Sequence, residues 1–479
     1  MTHIQTRLAE VRRLMKAQKL PALLVTQEQN RRYLSGFKGS AGSLLITQRH
    51  AILATDFRYW EQAAQQAPEF TLYQAKGRPQ DFLPGLIEAA GSPKRVGFET
   101  GTVTVSPTNV VVRVLAGATA VESNAAARLA GRFGWRVQAV PATPGQFEIL
   151  LAPSGRADAA GGARRRGRAL RRLPNADQAY LIEPEGTNRL VLTALTGKGV
   201  FHAAMTLKQL LEASGGEAFR RRLEAESEPQ DWCRTGGPPV TPVPEVATLI
   251  IPLVRIRDWP DMDWRGGWCI YTFEEMGWMA DYKLNLVEKS CEHSLSVGAD
   301  GRGSWNEPAN LYSGINRAWV ETGQRLAMHV VPYIPHLPYP FLVSGAFTHF
   351  PELRIKTWSA ASNALVQVVN AACFAQPGAR RILADWMSAL ADIPGVADVC
   401  VWLTEGQDHG MCACEECRPH GQFVMETRAI LEGWRAARAK HPQLGLEILL
   451  TQGSYKDNDK VLAEAPPEVE ISYYDGGRT

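Results

Sequence analysis

The apolar run Val399-Cys400-Val401-Trp402-Leu403 ends on Thr404 and the carboxylate of Glu405, followed by Gly406. A carboxyl group mounted where a strand gives way to its loop can hand a proton to a leaving oxygen. In barrel enzymes, that end of the strand is where the chemistry lies. His336 has the same kind of position after Val330-Val331-Pro332-Tyr333-Ile334-Pro335. Glu288, Asp408 and Asp475 are further acids beside or beyond apolar runs, and each is a candidate second carboxylate. Arg265, within Trp264-Arg265-Gly266, offers a planar fork suited to neighbouring hydroxyls. An equal alternative is that it pairs with Asp261 or Asp263. Trp268 and Tyr333 belong to an aromatic-rich region with Trp259, Trp264, Trp305, Trp402 and Tyr339. Such rings stack on the apolar faces of sugars, or fill a core. Trp402, inside a strand, reads as core or barrel interior.

A second dense segment runs from Asp408 to His420. His409, Cys412, Cys414 and Cys417 are soft ligands that could hold a structural zinc bracing the loop after Glu405. The Cys-x-Cys-x-x-Cys spacing is tighter than that of zinc fingers, and no distant second pair is evident. Reduced thiols or one disulfide are the alternative. No cofactor is expected for catalysis itself.

These residues must be positioned by an alternating pattern. Strand candidates are Trp268–Tyr271, Leu284–Val287, Met328–Ile334, Val399–Leu403, Leu446–Leu450 and Val469–Tyr473. Helical patterns lie between them over Phe273–Tyr282, Ile315–Leu326, Ala360–Leu390, Gly421–Lys440 and Lys456–Ala463. Alternation of this kind argues βαβ units and a parallel sheet that can curl into a barrel. Eight strands would close it and about six are countable, so an incomplete (β/α)8 TIM-type barrel is expected over 251–479. Residues 1–100 alternate short strands and helices, with strands at Ala22–Val25, Ser43–Ile46 and Ala51–Ala54. A second α+β domain is expected over 101–215, with strands at Phe147–Leu151 and Leu190–Leu192 and a helix ending near Leu211. Within it, the Arg- and Gly-rich stretch 161–172 reads as a solvated loop, since no aromatics interleave to make it an anion-binding arm. Residues 216–250 read as a linker or insertion. The fold class is therefore α/β multidomain.

The 479 residues exceed what one core usually organises. With 52 Lys and Arg against 49 Asp and Glu, no global field points to nucleic acid or an anionic membrane. Eight Cys are too few for a disulfide scaffold. No targeting segment and no apolar run near ~20 residues is visible, so a cytoplasmic chain without a membrane span is expected. A homo-oligomer is compatible with all of this.

Asn30-Arg31-Arg32-Tyr33-Leu34-Ser35-Gly36-Phe37-Lys38-Gly39-Ser40-Ala41-Gly42, Ala54-Thr55-Asp56-Phe57-Arg58-Tyr59 and Val96-Gly97-Phe98-Glu99 resemble the N-terminal domain of the creatinase, prolidase and aminopeptidase P family. The resemblance implies an α/β unit that shapes the site of a following metallopeptidase domain. The two Asp, one His and two Glu of that domain are not evident in the rest of the chain. Phe147–Leu151, Gly197–Leu211 and Ile256–Gly266 instead resemble the α/β domain and barrel approach of glycoside hydrolase family 20, the β-N-acetylhexosaminidase type. Met279–Leu286 and Val330–His336 resemble its second and third strand regions. By that resemblance Arg265 and His336 would touch the terminal sugar, and Glu405 would be the general acid. Thr404 stands where the family has the Asp that orients the substrate's acetamido group.

The expectation is a glycoside hydrolase acting on terminal sugars of a glycan or small glycoside, through Glu405. The alternatives are a non-catalytic carbohydrate-binding or scaffold composite, and an aminopeptidase P-like protein without its catalytic domain.

Overall fold

The computed structural model describes residues 2–77, 79–98, 102–154, 161–214, 249–268, 270–359, 361–405 and 411–474. Asp408, His409 and Asp475 lie outside the described residues, as does the expected linker up to residue 248. The chain divides into two compact units, Met1–Thr102 and Val103–Thr479.

In the first unit, Ala22–Val25, Ser43–Thr47 and Ala51–Thr55 are antiparallel neighbours at the centre of a five-stranded sheet. Thr71–Gln74 and Gly97–Phe98 join its edges in parallel. Successive residues point to opposite faces, which gives two cores. Leu44, Ile46 and Leu53 pack with Leu8, Met15 and Leu34 on one face. Leu45, Ile52 and Ala54 pack with Leu86 on the other. The covered sheet read from the sequence is therefore present, and both faces are hydrophobic because both are buried.

The second unit begins with a six-stranded sheet in the order Ile256–Asp258, Tyr180–Pro184, Arg189–Ala194, Phe147–Pro153, Val110–Val114 and Arg136–Gln138. Helices Ala120–Phe133 and Gly197–Ser214 contribute Leu129, Ala130, Phe201 and Leu207 to the core beside it. Thr119 and Glu122 form a capping box that starts the first of these helices. Ile256–Asp258, expected to lead into a barrel, is an edge strand here, antiparallel to Tyr180–Pro184. Residues 161–170 are helical rather than a loop. Arg166 of that helix is spoken for by its own sheet, at 2.7 Å from Glu183 and 3.5 Å from Glu185.

Six parallel strands then form a half-barrel: Gly266–Gly267, Leu286–Ser290, His329–Ile334, Asp398–Trp402, Gly445–Leu450 and Glu470–Tyr473. The first is short, and its Gly266 approaches the second so closely that a Cβ there would collide with the Leu286 carbonyl. Val287, Val330, Val399, Val401 and Ile448 face outward into a core shared with Met276, Trp319, Leu383, Trp386 and Ile430 of the intervening helices. Burying a side chain of this size stabilises by roughly 1.5–3 kcal/mol. The same core takes in Leu192 and Phe201 of the six-stranded sheet and its helix. Asp281 reinforces that junction by accepting from Arg128 at 2.7 Å and Lys208 at 2.6 Å.

The helix read over Ala360–Leu390 is in fact two structures. Arg354–Ser359 and Ala364–Ala372 form an antiparallel hairpin, and only Pro377–Ala391 is helical. Asn363, with φ of 47°, makes the reversal, and Pro377 sits at the helix start where its missing N–H costs nothing. No helix among the described residues is long and apolar enough to cross a membrane.

Candidate active site

Alternation along the fourth strand sends Cys400 and Trp402 to the concave face of the half-barrel, while Val399 and Val401 face the helices. Val331 and Tyr333 of the third strand, Leu286 of the second and Leu449 of the fifth share that concave face, with Trp268 and Tyr474. Tyr333 lies flat on Trp402, with ring centroids 4.3 Å apart and planes within 4°. Trp268 is 4.5 Å from Trp402 and 4.9 Å from Tyr474. The expected Trp268 and Tyr333 thus belong to one aromatic cluster, to which Tyr474 is an addition.

Glu405 stands just past the carboxyl end of the fourth strand, about one-third exposed. Its Oε2 is 3.3 Å from His336 Nε2, and its Oε1 accepts from Gln452 Nε2 at 3.1 Å. His336 sits edge-on to Trp402, centroids 5.0 Å apart. Its Nδ1 is 3.3 Å from the Leu403 carbonyl. A carbonyl can only accept, so Nδ1 carries the hydrogen of that contact. Its Nε2 is thereby turned toward Glu405 Oε2. Glu405 and His336 therefore face each other beside an aromatic platform. Gln452 is kept close by Gly453, where any Cβ would collide with the Glu405 carbonyl.

Deeper along the same face, Glu288 pairs in register with Val331, one inward row before Tyr333. Burial, and then the nearby Glu447 charge, push the Glu288 carboxyl up to about 7. Burial also raises Glu447, against the help of Ser472. The Cys400 thiol is held up by burial and by both of these acids. Glu288, Cys400 and Glu447 thus make an acidic interior that favours the protonated forms.

Two expected site residues lie elsewhere. Arg265 precedes the first strand, at the amino ends of the barrel strands, and its fork is fully used. It donates to the carbonyls of Met262, Asp263 and Lys283 and to Gln178 Oε1, at 2.6–3.2 Å. It braces the barrel foot, far along the strands from Glu405. Thr404 is buried, with its hydroxyl donating to Glu426 Oε1 at 2.6 Å and its amide to Oε2 at 3.1 Å. Glu426, on the helix Gln422–Arg438, also accepts from Gln422 Nε2 at 2.9 Å. Thr404 therefore anchors the loop and turns away from the mouth.

Cys412, Cys414 and Cys417 do come together, and Cys373 joins them across 39 residues of chain from Cys412. The four sulfurs lie within 4.8 Å of one another.

Residues 7–128 match the Creatinase/Prolidase N-terminal domain family, and the chain carries that domain. The uncharacterized peptidase YqhT of Bacillus subtilis (strain 168) is 36% identical over 98 residues, which is 20% of this chain and 28% of that protein. The chain therefore spans little more than a quarter of that relative's length. Among solved structures, the N-terminal creatinase/prolidase-like domain of a putative metallopeptidase from Corynebacterium diphtheriae is 36% identical, covering 20% of this chain and 77% of that one, with a TM-score of 0.19. Over most of the chain the structural similarity is to GH20 hexosaminidases. The β-N-acetylhexosaminidase of Streptomyces coelicolor A3(2) covers 79% of this chain and 73% of that one, at 16% identity and a TM-score of 0.46.

Proposed function

We propose that the half-barrel binds terminal sugars at its carboxyl mouth and cleaves the glycosidic bond with Glu405 as general acid. The observation that carries this reading is the Glu405 carboxylate at the strand's carboxyl end, 3.3 Å from His336 Nε2 and beside the stacked Trp402 and Tyr333. The platform would receive the apolar face of a sugar ring. Glu405 would protonate the departing oxygen as its bond to the anomeric carbon breaks, water would add to that carbon, and the proton this water gives up would restore Glu405, with His336 positioning its carboxyl. Glycoside cleavage also calls on a second carboxylate. Asp408 and Asp475 keep that candidacy from the sequence. Glu288, raised to about 7 by burial and by Glu447, keeps it as well.

A second reading, binding without turnover, is favoured by Thr404. The family 20 resemblance asks for a carboxylate there to orient an acetamido group, and this hydroxyl is bound to Glu426 instead. The peptidase reading suggested by the name of the Bacillus relative has less to stand on. Among the described residues, the one group of His, Cys, Asp and Glu close enough to share a metal is the four cysteines.

A panel of nitrophenyl glycosides, N-acetyl-β-glucosaminide included, separates the readings. Hydrolysis by the wild type, reduced at least 100-fold in Glu405→Gln with retained sugar binding, supports the acid role. Equal hydrolysis by both proteins refutes it. Binding with hydrolysis by neither favours the second reading.

A further inference from the structure

The four-cysteine cluster is built from two separate pieces of the second unit. Cys373 directly follows the hairpin strand Ala364–Ala372, and its amide donates to the Leu353 carbonyl at 2.7 Å. Cys412, Cys414 and Cys417 belong to the segment between Glu405 and the helix Gln422–Arg438. The two pieces are already tied, since the Ala413 amide donates to the Lys356 carbonyl at 2.6 Å and Gln422 Nε2 to the Ala372 carbonyl at 3.4 Å. The sulfurs sit in an apolar pocket of Ile355, Ala371, Ala375 and Met425.

Cys373 Sγ lies 3.5 Å from Cys412 Sγ, 3.7 Å from Cys417 Sγ and 3.8 Å from Cys414 Sγ. These are far longer than a disulfide, whose sulfurs lie about 2.05 Å apart. They are close to the edge of a tetrahedron of sulfurs around zinc. With Zn–S near 2.3 Å, that edge is about 3.8 Å. Amide hydrogens also converge on the sulfurs. The Cys417 amide donates to Cys414 Sγ at 3.4 Å, and the backbone at Lys356 and Cys414 serves Cys412. Such N–H···S contacts offset negative charge on bound thiolates, as outer partners do around structural metals.

We propose that Cys373, Cys412, Cys414 and Cys417 bind one zinc ion as a closed, four-thiolate structural site. Each ligating thiol gives up its proton to solvent as its sulfur donates an electron pair to the metal, and no redox change occurs. With all four positions filled by protein, the ion has no open site for water or substrate. Its effect is mechanical. It clamps the hairpin to the loop that leads from Glu405, at the foot of the helix whose Glu426 holds Thr404. The proposal stands on the sulfur geometry alone and does not depend on glycosidase activity.

The test is metal analysis of the full chain, purified under reducing conditions from zinc-supplemented cells, with Cys373→Ser and Cys291→Ala beside it. One zinc per chain is expected in the wild type and in Cys291→Ala, falling at least tenfold in Cys373→Ser. Cys373 is the informative ligand because it lies outside the clustered motif. Where Cys373→Ser fails to fold, the wild type still decides the matter. Cobalt exchanged into it is expected to give the strong sulfur-to-metal charge-transfer band and visible bands of a tetrahedral thiolate site. Folded wild type without metal, a disulfide among the four by peptide mapping, an iron-loaded protein, or undiminished zinc in Cys373→Ser would each overturn the proposal.

Discussion

Thr404 and Glu405 are chain neighbours with opposite duties. Glu405 keeps its carboxylate at the mouth with His336 and Gln452, while Thr404 spends both its donors on Glu426 inside the protein. Thr404→Val keeps the shape and removes one donor from a buried carboxylate. It should lower stability by roughly 1–3 kcal/mol in urea unfolding, with sugar affinity unchanged. An affinity loss at full stability would return Thr404 to the binding site. Arg265 invites the same separation. Lysine has no planar fork, so Arg265→Lys should strip several bonds to carbonyls and cost about 3 kcal/mol, read as a lower urea midpoint. A variant of wild-type stability that no longer binds sugar would contradict the placement at the barrel foot. At this scale the positions of Glu405 and His336 beyond strand ends were legible, because each follows a short apolar run bounded by polar residues and proline. Cys373, Glu426 and Gln452 were not, because each meets its partners only after the chain has folded back on itself. For Arg265 the sequence left a sugar role and a structural pairing level, because chemistry that suits a hydroxyl pair also suits acceptors of the protein itself.

Five of the six barrel strands were readable as elements, because strands buried on both faces are nearly continuous apolar runs; the first, expected at Trp268–Tyr271, lies at Gly266–Gly267. Their inward-facing polar residues carry less signal. Glu447 was overlooked for that reason, although with Glu288 it sets the character of the interior. The hairpin after Leu353 was misread as helix because alanine at Ala360, Ala361, Ala364, Ala371 and Ala372 suggests helix, while the pairing that decides the matter lies in the preceding strand. The acidic interior has a measurable consequence. Glu288 binds its proton more tightly folded than unfolded, so its contribution is present below its ordinary value of 4.5 and is lost as pH rises to about 7. That displacement corresponds to about 3 kcal/mol. Glu288→Gln should therefore flatten the fall in unfolding free energy between these pH values, measured by denaturant titration at several pH settings. An unchanged slope would show that Glu288 titrates normally.

Across the whole molecule, the residues before and after Thr102 have separate cores. The first unit buries Leu44, Ile46 and Leu53 on one sheet face and Leu45 and Ile52 on the other, entirely with its own helices. A fragment of residues 1–102 should fold alone and unfold in one cooperative step by circular dichroism. A gradual, non-cooperative melt would contradict this. The six-stranded sheet and the half-barrel differ in that respect. Leu192 and Phe201 belong to the same hydrophobic cluster as Val330 and Val401, and Asp281 is held from two helices of the sheet layer. Evolution by domain exchange needs a joint at which neither piece is left with a bare oily surface. Cutting between sheet and half-barrel would expose such surfaces on both, whereas a cut near Thr102 leaves each hydrophobic cluster whole.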